Sequence, residues 1–403
     1  MTVASVSPEH VLSLTLLAAT VLAVPTQGGH PTGVVRVADE PSLARAVRGA
    51  RSGTTILVAA GRYRLTVTVA IANVDGLEIR GESGNRDDVV IEGPGLQPVA
   101  GQVPLDGFWL GRARGVTVAD LTVRDFPRHG VIMNAGTEAP RIRNVRFVDA
   151  GQQFVKANPD AEGRGIRRGV VEDSRFEYTT TSRDSYTNGI SAIGAQGWVV
   201  RRSWFVNMRG PGGQLGGPAL LFRGGARDTL VERNTFVNCQ RGVMFGMVDR
   251  TPDDHSGGVI RNNMFHRGAA EGGDVGISLW DAPGARVLHN TVIVSGTYHA
   301  AIDYRFADTR GVVIANNLTD APTWAREGAR ADEQGNFVKA VSAMFVDAAR
   351  RNLHLLPTAR EVIDRAVALP PDMAVTDDWD GDSRPAGKAS DIGADEHRVP
   401  VPR

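Results

Sequence analysis

From about residue 54 the chain alternates short apolar runs with Gly, Asn and Asp, and a short phrase recurs within that alternation. A small polar residue, one variable residue and then Phe or an aliphatic appear as Ser174-Arg175-Phe176, Ser203-Trp204-Phe205, Asn234-Thr235-Phe236, Asn263-Met264-Phe265, Asn290-Thr291-Val292 and Asn316-Asn317-Leu318. Val145-Arg146-Phe147 is an earlier variant, and from Phe147 onward the steps are 29, 29, 31, 29, 27 and 26 residues. Each interval also holds two or three apolar runs of strand length. Strands this short, with no amphipathic run of helix length between them, argue against βαβ units. A sandwich needs no repeated phrase at a near-constant step, whereas a solenoid of three strands per turn does. The pattern predicts an all-β, right-handed parallel β-helix. The Ser/Asn position should stack as a hydrogen-bonded ladder and the Phe position as a core column.

The ends differ from the repeat. Pro41–Ala50 sets Leu43, Ala46 and Val47 on one helical face, which predicts an N-terminal cap over the first coil. The rhythm stops near Pro322. Pro357–Val367 has the look of a second short helix, followed by a Pro- and Asp-rich tail. The predicted organisation is a signal peptide over 1–30, a capped β-helix over 31–322 and a tail packed on it over 323–403. Val11–Val24 is too short to span a bilayer and suits the apolar core of a signal peptide, although no Lys or Arg precedes it. Cleavage is expected between Val24 and Gly33, and the location secreted, periplasmic or at the cell surface.

GTTILVAAGRYRL followed by VDGLEIRGESG resembles the opening of pectate lyase-like right-handed β-helix proteins, and Gly115–Leu318 resembles their repeats. The tail, with FVDAARRNLHLLPTAREVIDRA and DWDGDSRPAGKASDIGADE, is similar to the ending of bacterial choice-of-anchor Q proteins. The resemblance spans about residues 34 to 396. It implies the fold and leaves the activity open, because that superfamily includes lyases, hydrolases, epimerases and adhesins.

One strand per coil can be aligned from Val131–Asn134 to Ile302–Arg305. Its first and third positions are apolar or small, so the second and fourth should point outward. One outward column reads Ile132, Lys156, Ser191, Leu221, Met244, Ser278, Asp303. The other reads Asn134, Asn158, Ile193, Arg223, Gly246, Trp280, Arg305. Coils about 4.8 Å apart put Lys156 and Arg223 roughly 10 Å from each other, the width of a sugar ring. The turn Ser182–Asn188 should lean Asp184 and Tyr186 over Ser191, and Trp280 offers a ring for stacking. His129 precedes the first aligned strand, and His255 lies in a loop that could wall the groove. Each of these residues also has an ordinary structural reading: solvated surface for the cations, a turn for the histidines, mutual pairing for Asp303 and Arg305.

Together they suit β-elimination from a uronic acid, which needs a cation at the carboxylate and a base for the neighbouring proton. Lys156, Arg223 and Tyr186 are the catalytic candidates. Asn158, Asp184, Trp280, Asp303, Arg305 and His129 are the substrate-binding candidates. The Lys–Arg pair is similar to that of the chondroitinase B and alginate lyase group, whose pair lies closer in sequence. That group's carboxylate-rich calcium site has no match in the outward columns, so Ca²⁺ is possible without support, and no cofactor is evident.

A hydrolase would need two carboxylates about 5 to 10 Å apart, and the columns supply only Asp303, with Asp184 and Asp253 or Asp254 as loop acids that could converge on it. Asp378, Asp380 and Asp382 read as a turn. A non-catalytic polysaccharide binder or adhesin is the rival class. Acidic and basic residues balance at 45 each, which does not point to nucleic acid. The expected partner is an acidic polysaccharide, with no stable membrane insertion and a monomeric chain. The lone cysteine, Cys239, should be a buried filler.

Overall fold

The computed structural model describes residues 33–98 and 100–398. The predicted signal peptide lies outside them. The chain folds as a right-handed parallel β-helix with one α-helix among the described residues, Glu40–Arg48. Asp39 caps that helix by accepting from the Ser42 amide, and Ser42 reciprocates. The helix buries Leu43 and Val47 over the first coil, so the apolar end of the solenoid is closed.

Each coil contributes to three parallel ladders. Two of them share the ten-residue strands Thr117–Phe126 and Arg141–Ala150 and so merge into a 20-stranded sheet. The third is a separate 10-stranded sheet running from Val69–Ala72 to Thr323–Arg326. The repeat phrase sits at the corner between the first two ladders. There the main-chain amides of Val145, Ser174, Ser203, Asn234, Asn263 and Asn290 each donate to the side-chain oxygen of the next ladder residue, 2.9–3.1 Å away. The residue just before each ladder position (Asp173, Arg202, Arg233, Asn262, His289, Asn316) has a positive φ of 49–56°. A left-handed residue followed by an inward amide or hydroxyl turns the corner and satisfies the buried amides left there.

Beneath the ladder, Phe147, Phe176, Phe205, Phe236 and Phe265 stack with ring centroids 4.3–5.1 Å apart and planes within 12° of parallel. Near-parallel rings at a coil's spacing are what in-register parallel strands impose. Cys239 is buried beside this column and free of any disulfide.

The structure corrects three expectations at the C-terminal end. The ladder residue of the last phrase is Asn317, with Asn316 at the left-handed corner, so Val292 pairs with Thr319 and not Leu318. Strands also continue past Pro322, since Thr323–Arg326 pairs with Ile302–Arg305 and Ala331–Gln334 with Val312–Ala315. Finally, Pro357–Val367 is a series of turns and not a helix. A helix that short is marginal on its own, and the segment buries Ala359 and Val362 beside Met264, Ile293 and Leu318 through turns instead. The tail docks on the left-handed corner residues. Arg233 donates to the carbonyls of Trp379 and Asp380, Asn262 to that of Asp377, and Asn316 to that of Val367. Asp378 closes a turn by accepting from the amides of Gly381 and Asp382.

Candidate functional site

The 10-stranded sheet carries the two predicted columns in the predicted register. Lys156 pairs with Ser191 and Ser191 with Leu221, while Ile193 pairs with Arg223 and Trp280 with Arg305. The second-position column is nevertheless buried throughout, from Ile132 to Asp303, and not an exposed face. Its members stand on successive coils and shield one another. The fourth-position column is half-buried except at Gly246. There a Cβ would lie 1.7 Å from the Trp280 carbonyl, so the coils close up at that point.

Lys156 is 6% exposed, and its ammonium donates to the Ser191 hydroxyl at 3.2 Å. Burial, and secondarily the charge of Arg223, brings its pKa down to about 8. The Nε of Arg223 is buried without a partner. Among the described residues no carboxylate forms an ion pair with either cation. Several arginines on the outer faces of the solenoid are paired: Arg146 and Arg175 with Glu177, Arg201 and Arg202 with Glu172, Arg261 with Glu232. Two close cations without a counter-charge, one of them buried, are costly unless an anion completes them.

The other predicted residues are placed separately from this pair. Tyr186 is 50% exposed on the turn preceding Ile190–Ile193. Asp184 is engaged by Arg183 and by the Tyr186 amide, and no hydrogen bond joins this turn to Lys156. Asn158 donates to Asn134 on the adjacent coil, beside a hollow lined by Glu138, Asp160, Arg164 and Arg167. His129 is buried between Asp106 and Gln153, 2.8 and 3.0 Å from its two ring nitrogens, and Gln153 reaches on to the Tyr186 carbonyl. Both ring nitrogens are thus occupied. His255 does not wall the groove. It is wholly buried, stacks on Phe245 at 4.0 Å, and burial pushes its pKa down to about 3.

A second constellation lies at the C-terminal end of the sheet. Asp303 does not pair with Arg305. It accepts from Trp280 Nε1 at 3.0 Å and from Arg326 at 3.1 Å, and burial raises its pKa. Arg305 pairs with Glu327 and lies over Trp280, 4.7 Å from the ring centre. Arg326 lies 4.3 Å from the Trp324 ring and 5.5 Å from that of Trp280. The Trp280 ring is therefore flanked by guanidinium groups and is not the bare platform expected of it. The charges of Asp274 and Asp303 both act on Tyr298, whose pKa burial pushes up to about 12. Trp324, Arg326, Asp274 and Tyr298 were missing from the sequence reading. The signal for the first two was present, since Thr323-Trp324-Ala325-Arg326 repeats the alternation of Ile302–Arg305 one coil on.

Among the described residues two groups could hold a metal ion: His354, Asp380 and Asp395 in the tail, and the three acids Asp249, Asp281 and Asp308 at the border of the 10-stranded sheet. No described helix is long and apolar enough to cross a membrane.

No family model matches the chain, and no curated protein matches it. Among solved structures it is similar to pectate lyase Pel9A, with a TM-score of 0.55 at 12% identity over 92% of this chain and 98% of that one. It is also similar to PfbA, a surface adhesin of Streptococcus pneumoniae, with a TM-score of 0.50 at 13% identity over 74% and 86%. An alginate lyase from Paenibacillus sp. gives a TM-score of 0.49 at 14% identity over 76% and 99%. The likeness is one of fold. A lyase and an adhesin both share it, so activity has to be argued from the side chains.

Proposed function

We propose that this protein acts on a uronic-acid-containing polysaccharide by β-elimination at Lys156 and Arg223. The observation that carries this reading is the buried, unpaired ammonium of Lys156 beside an Arg223 that also lacks a carboxylate partner. Arg223 neutralises the sugar carboxylate. Neutral Lys156 takes the proton from the adjacent carbon, the electrons pass into the carboxylate as an enediolate, and their return expels the glycosidic oxygen to leave a C=C bond. The departing oxygen takes a proton from Tyr186 or water. A pKa of about 8 leaves a usable fraction of Lys156 as free amine near neutrality. Asn158, Asp184 and His129 shape the near end of the groove, and Trp280, Asp303 and Arg305 its far end. Such a substrate lies outside the cytoplasm, and Val11–Val24 would supply export, in keeping with the tail's similarity to the choice-of-anchor Q group.

The test is incubation with a panel of acidic polysaccharides, followed by ultraviolet absorbance of the unsaturated uronate. Binding without product across the panel would leave a non-catalytic binder. A second reading, glycoside hydrolysis, rests on Asp303, whose pKa is raised by burial and, further down, by the charge of Asp274. Two interacting carboxylates are what hydrolysis uses. New reducing ends without unsaturation would select it.

A further inference from the structure

We propose that Asp249, Asp281 and Asp308 form a binding site for a hard divalent cation, Ca²⁺ by preference, at the corner bordering the 10-stranded sheet. The three residues come from the turns after Val243–Phe245, Ile277–Trp280 and Ile302–Arg305, and so from three successive coils. Each offers a carboxylate oxygen, and these oxygens all lie within 4.8 Å of one another. Oxygens that share an ion at about 2.4 Å are at most about 4.8 Å apart, so the group can close on Ca²⁺ without rearrangement.

Asp281 supplies an independent reason. It is 0% exposed, and its Oδ2 accepts from the amides of Arg250 and Asp254, each at 2.9 Å. Its Oδ1 is buried with no partner, a costly state for a carboxylate oxygen. Asp249 is exposed and the side chain of Asp308 is half open to solvent, so water can complete a coordination shell of six to eight oxygens. Burial raises the pKa of Asp281, with the charges of Asp253 and Asp249 adding to it, and Asp253 is raised in turn with Asp308 contributing. Of the neighbouring cations, Arg250 is turned to Asp254, whereas Arg310 pairs with Asp308 inside the group and would share that carboxylate with an ion. An ion here would tie the Gly246–Asp254 loop to the next two coils. Asp254 in that loop accepts from the Gly224 amide at 2.7 Å, immediately after Arg223. The cation would therefore steady the corner beside the groove without touching Lys156 or Arg223, and the proposal does not depend on the lyase reading.

The experiment uses the full chain stripped with EDTA, titrated with CaCl₂ by calorimetry and followed by thermal unfolding. The expected result is saturable binding and a rise in Tm with calcium. Asp249→Asn/Asp308→Asn, both open to solvent, should keep or raise the Tm in EDTA because repulsion is relieved. It should lose the calcium-dependent rise and bind at least tenfold more weakly. Terbium emission sensitised by Trp280, displaced by calcium and lost in the double variant, gives a second readout. Absence of heat and of any Tm shift in the unaltered protein up to about 10 mM calcium, above the range of extracellular calcium modules, would overturn the proposal. So would an undiminished response in the double variant, which would place the ion elsewhere, for instance at His354, Asp380 and Asp395.

Discussion

Lys156 and Arg223 leave the same sheet two strands apart, and burial, aided by the Arg223 charge, holds the pKa of Lys156 well below its ordinary value. Among the described residues Ser191, on the strand between them, is the only group that hydrogen-bonds the ammonium. The proposed β-elimination would use the pair to receive the carboxylate of the sugar.

Lys156→Ala and Arg223→Ala should each reduce turnover by about 10² to 10³, the usual loss for one preorganised electrostatic contact. Neither should lower the Tm, because each removes an uncompensated charge. Initial rates on the active polymer, with melting curves alongside, are the measurement. Activity within about threefold of the parent in both variants would move the chemistry to the Asp303 end of the groove.

Turnover should rise with pH through an apparent pKa near 8 as Lys156 loses its proton. Arg223→Met should shift that limb upward, while burial keeps it below the ordinary lysine value. Stability should follow the same group. The unfolded chain binds this proton more tightly, so stability should increase between about pH 8 and 10.5, on the order of 3 kcal/mol at most. Below about pH 8 the group is charged in both states and its contribution to the slope vanishes. Denaturant titrations of the parent and of Lys156→Met across that range isolate the effect, since the variant should lack this rise.

Phe205→Ala should cost about 3 to 5 kcal/mol, because the ring is fully buried between Phe176 and Phe236 and the rigid coils cannot collapse into the gap. A loss under about 1 kcal/mol in equilibrium unfolding would contradict the stacked column.

Asn263→Ala should cost about 1 to 3 kcal/mol, as it leaves the buried amide of Asn234 without an acceptor. Asn263→Ser should recover part of that loss, since Ser174 and Ser203 fill the same position on other coils. The same unfolding experiment checks both.

The repeat was legible because a column tolerates few residue types. An inward Phe must match its neighbours one coil away, and the corner amide must find an oxygen. The columns of the third ladder were legible for the same reason. The register at Asn316–Asn317 was ambiguous because Asn suits both the left-handed corner and the ladder. Trp324 and Arg326 were missed because their coil is short, with Thr323 only 21 residues after Ile302. Burial of the outward column could not be read from alternation, which reports the direction of a side chain and not what surrounds it. The pairings of Asp303 with Arg326 and of Arg305 with Glu327 cross between coils, and linear spacing does not reveal such partners.

The docking of the tail on the corner residues divides the solenoid into parts of unequal freedom to change. Upstream of Arg233, a coil added or lost by duplication would lengthen or shorten the rod by one strand spacing and leave every tail contact in register. Between Arg233 and Asn316 the same event would offset the tail against Asn262, His289 and Asn316, whose partners, Asp377, Asp391 and Val367, all belong to one irregular segment. The tail therefore acts as a ruler for the last coils, and change in length should be confined to the half of the molecule that it does not measure.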